Sequence, residues 1–231
     1  MIVAATGVAA AALSVSPVRL RLTRSARRTI TIRNTGDAAT SIDVRAARFV
    51  LDPRGKPVVV PKRKAEAWLR LRPRRLVLAA GAVAEVTVSS VVAAGARPGD
   101  HPALVLLTTQ APRAPGVPRT RGVTVRMRIG VVVFVRVEGR IVHRLRLGAR
   151  HVRRRVLEAA VGNPGNVVES ARVRVVLSRN GRVLARLRSA IRTFLPHSHA
   201  AVRFRCPARV RGRVTVRVEA GAWRGTARIR L

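Results

Sequence analysis

The residues that could bind a metal ion or attack a substrate are few in this sequence. His197 and His199 lie two positions apart, so both imidazoles would share one face of a strand, and Cys206 follows downstream. Imidazole and thiolate are zinc ligands, but neither a fourth ligand nor a zinc-binding spacing completes the set. We therefore interpret Pro196–His199 as a polar turn and predict neither a metal site nor a cofactor.

The acidic residues give no catalytic pattern either. The chain carries 10 of them, scattered without the close pair that general acid–base chemistry uses. Gly162–Asn166 contains glycines but lacks the lysine and the following helix of a phosphate-binding loop. These absences predict a protein without enzymatic activity, and its function is to be sought in its binding surfaces.

Positive charge is the strongest chemical signal in the chain. It has 47 basic residues, a net charge of +37, and lysine only at Lys56, Lys62 and Lys64. Two interpretations stay open: a GC-rich genome that favours arginine codons, or a polyanionic partner such as nucleic acid, anionic wall polymer or lipid headgroups. Because only 3% of the residues are aromatic, base stacking has little support. The arginines are spread over many predicted strands, so any nucleic-acid binding is predicted to be sequence-nonspecific.

One long strand is predicted at the middle of the chain, within Gly122–Gly139. Its alternate positions are apolar: Val123, Val125, Met127, Ile129, Val131, Val133 and Val135. Such alternation predicts a strand with one buried face, and a second half that is apolar on both faces indicates a strand between two layers. We predict that it closes a first domain and runs into the linker to a second.

The rest of the chain consists of short alternating runs, with turn signals every eight to twelve residues or so. Ser41–Leu51 and Arg140–Leu147 are two of the predicted strands. The pattern predicts an all-β protein of two tandem immunoglobulin-like β-sandwich domains, Leu13–Val137 and Glu138–Leu231. An Asn-x-Gly turn after the second strand of each half, at Asn34 and Asn163, hints at duplication.

The sequence predicts an export signal over residues 1–12. It has an apolar run ending in small residues, as secretory signals do, but no basic segment before the run. An apolar N-terminal strand is the alternative. No segment approaches the ~20 apolar residues that span a bilayer, so we predict no transmembrane span. The export signal predicts an extracytoplasmic protein, in the periplasm, cell wall or medium.

Several blocks of the first half resemble a known family. They are SPVRLRL at Ser16–Leu22, ITIRNTGD at Ile30–Asp37, WLRLRPRRLVLAAG at Trp68–Gly81 and PGDHPALVLL at Pro98–Leu107. In this order, and followed by the long strand, they resemble the N-terminal immunoglobulin-like domain of the pilus-assembly chaperone superfamily, and also related envelope proteins of the WxL-interacting type. Gly162–Asn166 resembles a turn common in the domain that follows.

This resemblance implies a mechanism. In the chaperones, two basic residues anchor the carboxylate of a pilus subunit, and the long strand donates its apolar side chains to that subunit, which is strand addition. The resemblance implies these partner-strand residues: Val123, Val125, Met127 and Ile129. It also places Arg19 at the first anchor. The second falls on Val132, so the nearest basic residues on that face, Arg128 and Arg136, are the candidates. Ordinary core packing of the same apolar residues remains the alternative.

The function expected from this resemblance is chaperone-like binding of a pilus or surface subunit outside the cytoplasm. Two alternatives stay open. The first is an envelope protein that binds anionic polymers through arginine-rich faces, and the second is a protein that coats nucleic acid without sequence preference.

Overall fold

A computed structural model describes residues 12–60, 68–110, 126–151 and 155–231 of the chain. The regular elements of this part are β-strands, grouped into two compact units. The first unit comprises the chain through Phe49, Val59–Ala96 and His101–Val137, and the second comprises Val50–Val58, Arg97–Asp100 and Glu138–Leu231. Each unit packs two sheets around an apolar core, which confirms the predicted class of tandem immunoglobulin-like sandwiches.

Eleven strands precede Glu138 in the residues that the structure describes. They are β1 (Leu13–Ser16), β2 (Arg19–Leu22), β3 (Arg27–Asn34), β4 (Thr40–Ala47), β5 (Phe49–Leu51), β6 (Pro57–Val59), β7 (Leu69–Arg72), β8 (Arg75–Leu78), β9 (Val83–Ser90), β10 (Gly99–Gln110) and β11 (Arg128–Val137). One sheet has the order β1-β3-β9-β7 and the other β2-β11-β10-β4-β8, while β5 and β6 form a separate ribbon.

The core of the first unit follows from side-chain alternation. On β3, Ile30 and Ile32 are fully buried while the residues between them are exposed, and Ile30 lies opposite the buried Val86 of β9. The second sheet contributes Val131, Val133 and Val135 of β11, each completely buried. Full burial of such a side chain contributes roughly 1.5–3 kcal/mol, so many small β-branched contacts compensate for the scarcity of aromatic residues.

After Glu138 the described residues form seven strands, which build the two sheets of the second unit. They are β12 (Arg146–His151), β13 (Val156–Asn163), β14 (Glu169–Arg179), β15 (Arg182–Phe194), β16 (Ser198–Arg205), β17 (Arg213–Ala220) and β18 (Trp223–Arg230). The sheet orders are β12-β13-β16 and β15-β14-β17-β18. Val173, Val175, Val216 and Val218 face inward from the larger sheet, and Leu157 and Val161 face them from the smaller one.

Two predicted strands differ from the structure. Ser41–Leu51 is divided at Arg48, because β4 pairs with β10 as far as Ala47 whereas β5 belongs to the ribbon with β6. Arg140–Leu147 is wrong as a strand: only Arg146 and Leu147 belong to β12. The backbone N–H of Val142 instead donates to the side-chain oxygen of Asn166 (2.7 Å), and its carbonyl accepts the N–H of Asn166 (3.2 Å), so this stretch is bonded to a turn residue in place of a strand.

The two Asn-x-Gly turns share one hydrogen-bonding arrangement. The buried Asn34 donates its amide protons to the carbonyls of Ala38 (2.8 Å) and Ala79 (3.0 Å), and its side-chain oxygen accepts the N–H of Gly36 (3.0 Å). In the second unit the buried Asn163 donates to Val167 (2.8 Å) and Phe194 (3.0 Å) and accepts from Gly165 (3.0 Å). Each amide therefore joins its turn to a neighbouring segment, and the two halves of the chain repeat this arrangement.

We expect Asn34→Ala to lower the free energy of unfolding of the first unit by at least about 2 kcal/mol, since each buried polar group left without a partner costs roughly 1–3 kcal/mol. Thr35→Ala, at the exposed neighbouring position, is the control. One tryptophan packs against each core, so urea unfolding of the Trp223→Phe protein, followed by Trp68 fluorescence, reports the first unit. Equal midpoints for Asn34→Ala and Thr35→Ala would contradict this role.

Candidate functional site

The edge of β11 is the candidate site. β2 pairs with β11 in parallel, but only from Val132 to Val135, while β10 lies on the other side of the strand. Within the described residues, the first part of β11, Arg128–Val131, therefore has a paired side and an open side. This is the strand for which the sequence predicted donation to a partner.

The backbone direction follows from hydrogen bonds at both ends of this part. The N–H of Met127 donates to the hydroxyl of Thr109 (2.9 Å) and the N–H of Thr109 to the carbonyl of Met127 (3.0 Å), so Met127 faces β10. The N–H of Val132 donates to Val18 (3.0 Å), toward β2. Because successive residues of a strand alternate in direction, the N–H and C=O groups of Arg128 and Gly130 point to the open side.

The predicted partner-strand residues fall on two parts of the chain. Val123 and Val125 lie outside the described residues. Met127 and Ile129 are half-buried, and Ile129 packs against the core of the first unit. Val131 is completely buried in that core, so side chains available to a partner on this face must lie before it.

The predicted anchor residues lie on the opposite, outward face of the same sheet. Arg19 is exposed and pairs with Val132 in the register, and its guanidinium carbon lies 5.8 Å from the centre of the Phe134 ring. Arg128 and Arg136 share the face of Val132, four residues to either side, which corresponds to roughly 13 Å along the strand. The three arginines therefore lie on one face of the sheet, Arg19 on β2 and Arg128 and Arg136 on β11.

Sequence reasoning missed two further residues at this edge. Arg21 is exposed, shares the face of Arg19 and lies opposite Phe134; the alternation of Arg19 to Leu22 carried that signal. Gly130 lies next to Leu104 of β10, and a Cβ on it would come within 3.2 Å of the Leu104 Cδ1 atom. A glycine inside a strand often marks close approach of another group, which was the available signal.

The side chains considered for zinc do not form a site. His197 lies in a turn with φ of +53°, whereas His199 lies in β16, and no group of three or more His, Cys, Asp or Glu side chains suited to a metal ion occurs in the part of the chain that the structure describes. Cys206 is buried, and desolvation raises the pKa of its thiol, which disfavours the thiolate. His101 stacks on Trp68, with ring centres 3.9 Å apart.

The most buried acid of the second unit is held by arginines. Glu158 of β13 lies opposite Arg150 of β12 and Arg203 of β16, and its oxygens accept bonds from them at 2.8 Å and 3.3 Å from the Nε atoms. Burial of this carboxylate acts to raise its pKa, but the hydrogen bonds from Arg150 and Arg203 outweigh that effect and hold the pKa below its usual value.

Comparison with known proteins identifies the fold. A scan of protein-family models and a search of curated sequences find no match. Among solved structures, the class 5 fimbriae chaperone CfaA matches with a TM-score of 0.57 and 11% identity, over 94% of this chain and 99% of that one. A chain of the CsuC–CsuE chaperone–tip adhesion subunit complex of Acinetobacter baumannii matches with a TM-score of 0.53 and 14% identity, over 95% and 98%.

A chain of the Salmonella enterica SafA pilin–SafB chaperone complex gives a TM-score of 0.54 at 11% identity, over 96% of this chain and 98% of that one. The protein thus has the fold of the fimbrial chaperones, and the predicted resemblance to the pilus-assembly chaperone superfamily is confirmed for the fold. The resemblance to WxL-interacting proteins stays a prediction. In the described residues, no helix has the length and apolar character needed to cross a membrane.

We expect the stability of the second unit to fall in acid because of Glu158. A carboxyl whose folded pKa is depressed stabilises the fold above its unfolded pKa, about 4.3 for Glu, and this contribution is lost as the pH falls through the folded value. Urea unfolding of the Trp68→Phe protein, followed by Trp223 fluorescence, measures the effect. Glu158→Gln should reduce stability at neutral pH and flatten the acid dependence, whereas Glu85→Gln, at an exposed position of the first unit, should do neither. An unchanged acid profile in Glu158→Gln would refute the assignment.

Proposed function

We propose that this protein is a non-enzymatic, extracytoplasmic, chaperone-like binding protein that engages a partner protein by β-strand addition. The observation that carries the proposal is the open side of β11, where the main-chain groups of Arg128 and Gly130 point away from β10 and beyond the reach of β2. An open strand edge is a template for an added strand, to which main-chain bonds give affinity and side-chain pockets give specificity.

The proposed partner is a pilus or surface subunit that lacks a strand of its own. Support comes from the fold, because solved structures that share it include chaperones in complex with a pilin or a tip adhesion subunit. In this proposal Val123, Val125, Met127 and Ile129 insert into the partner, while Val131 and the later valines stay in this protein's core. Arg19, together with either Arg128 or Arg136, offers positive charge to a carboxylate at the end of the partner chain.

A second proposed function is the binding of an anionic envelope polymer. Exposed arginines on several strands and a net charge of +37 support it, because polyanions are attracted to such surfaces irrespective of sequence. Nonspecific coating of nucleic acid is the remaining alternative. It has weaker support because aromatic side chains are scarce and all six are buried or half-buried.

Arg128→Pro should weaken capture of the partner, since proline removes the N–H that points to the open side and is tolerated at the first residue of a strand. Leaving one buried partner carbonyl without a donor costs about 1–3 kcal/mol, or roughly five- to a hundredfold in affinity. The measurement is quantitative capture from an envelope extract on beads that carry each variant.

Arg128→Ala is the matched control, because it removes the same guanidinium but keeps the N–H. Thermal melts of both variants establish that the fold is retained. If Arg128→Pro and Arg128→Ala capture the same amount of the same partner, strand addition at this edge is wrong. Loss in both to the same degree would assign the contribution of this residue to its charge alone.

Export should remove the first residues of the chain. We expect N-terminal sequencing of protein from the envelope fraction to begin near Leu13 or Ser14, where β1 begins. Residues 1–11 themselves lie outside the described part of the chain. Recovery of an intact Met1 terminus from the cytosol would contradict export and favour the nucleic-acid alternative.

A further inference from the structure

The outward face of the larger sheet of the second unit carries arginines in register. The sheet order is β15-β14-β17-β18, and one row across it consists of Arg188, Arg174, Glu219 and Arg224. The next row contains Arg186, Val176, Arg217 and Thr226. All the arginines in these rows are exposed, whereas the residues between them along each strand face the core. We call this surface the arginine face.

The spacing of this surface is regular because the sheet sets it. Neighbouring strands lie about 4.8 Å apart, and side chains on one face of a strand repeat every ~6.6 Å. The register of the strands places like charges directly opposite each other: Arg174 pairs with Arg188, and Arg213 pairs with Arg230. Such pairs destabilise a sheet in the absence of a counter-ion, so an anion that bridges them is bound favourably.

The smaller sheet of the same unit is different. Its Arg150 and Arg203 lie on either side of Glu158 and are ion-paired with it. On the arginine face, Glu219 is the one acidic residue, so most of the positive charge has no carboxylate across the strand. The charge of the unit is consequently concentrated on one of its two sheets, a distribution that the sequence composition does not reveal.

The chemistry of this face favours phosphate. Guanidinium groups bind phosphate oxygens through paired, charge-assisted hydrogen bonds. At one end of the face lies a shallow hollow of about 320 Å³, lined by Ser170, Ala171, Arg172, Arg174, Glu219 and Gly221. Its two guanidinium groups outnumber the single carboxylate of Glu219, so its lining keeps a net positive charge. The outward positions of these strands hold no aromatic side chain, so bases have no stacking partner there, and a polymer without bases fits better than nucleic acid.

We propose that the arginine face is the binding surface for a flexible, base-free polymer of phosphodiester-linked units. This inference rests on the second proposed function, because it assigns the binding of an anionic polymer to one face. It is independent of strand addition, which uses β11 of the first unit.

The experiment compares two variants that remove the same charge. The face variant is Arg174→Gln, Arg188→Gln, Arg217→Gln and Arg224→Gln together. The control variant changes Arg24, Arg70, Arg140 and Arg209 to Gln, at exposed positions scattered over both units. Each full-length protein is titrated with synthetic poly(glycerol phosphate) of defined length at several salt concentrations.

The face variant should bind at least about tenfold more weakly. The slope of log affinity against log salt should fall by about 3, because each phosphate contact contributes roughly 0.7 on a flexible polyanion. The control variant should stay within about threefold of the wild type. If the face variant fails to fold by circular dichroism, Arg217→Gln with Arg224→Gln replaces it and should reduce the slope by about 1.4.

The outcomes separate the two levels of the proposal. If the wild-type protein does not bind the polymer, the second proposed function fails and this assignment fails with it. If the wild type binds but both variants weaken equally, the function stands and the arginine face is overturned as its site. If an oligothymidylate of equal charge binds more than tenfold tighter than poly(glycerol phosphate), the base-free occupant is overturned in favour of nucleic acid.

Discussion

The first unit depends on one constraint, the alternation of buried and outward-facing side chains along β11. Its inward valines, Val131, Val133 and Val135, are completely buried, and the strand lies between β2 and β10 in the larger sheet. A shift by one residue would move this whole set to the wrong face, so packing fixes the register of the strand. The core fixes the later part of β11, from Val131 onward. The direction of the earlier part is therefore defined, although one of its two edges has no paired strand among the described residues. The same strand thus connects the stability of the unit with its candidate site.

Much of this fold could be predicted from the sequence, because period-2 alternation and turn chemistry act locally. The long strand predicted within Gly122–Gly139 is observed as β11 in the described residues, with Val131, Val133 and Val135 on its buried face, and both predicted Asn-x-Gly turns are present. The predicted strand Arg140–Leu147 was wrong because alternation of apolar and polar residues shows only that a segment is compatible with a sheet. A strand also needs a neighbouring strand with which to pair. The prediction of one strand over Ser41–Leu51 was wrong for a similar reason. The strand changes its pairing partner at Arg48, and the pattern of apolar and polar residues does not show this change.

The candidate site was less predictable than the fold. Arg19 could be proposed as an anchor from its place in a motif, but the open side of Arg128 and Gly130 depends on how far β2 extends, which is a tertiary property. The arrangement of the arginine face on the second unit is likewise a tertiary property. Each strand shows its alternate arginines in the sequence, but the register between β14, β15, β17 and β18 decides which of them become neighbours.

The open side of β11 also bears on the solubility of the protein. A free strand edge is a general route to self-association, because two copies of one chain can join edge to edge into a continuous sheet. A net charge of +37 makes identical molecules repel one another, and Arg128 puts a positive charge on the exposed edge itself. Whatever genomic bias contributed to the arginines, their electrostatic repulsion opposes homotypic pairing and leaves the edge accessible to a chain of different charge.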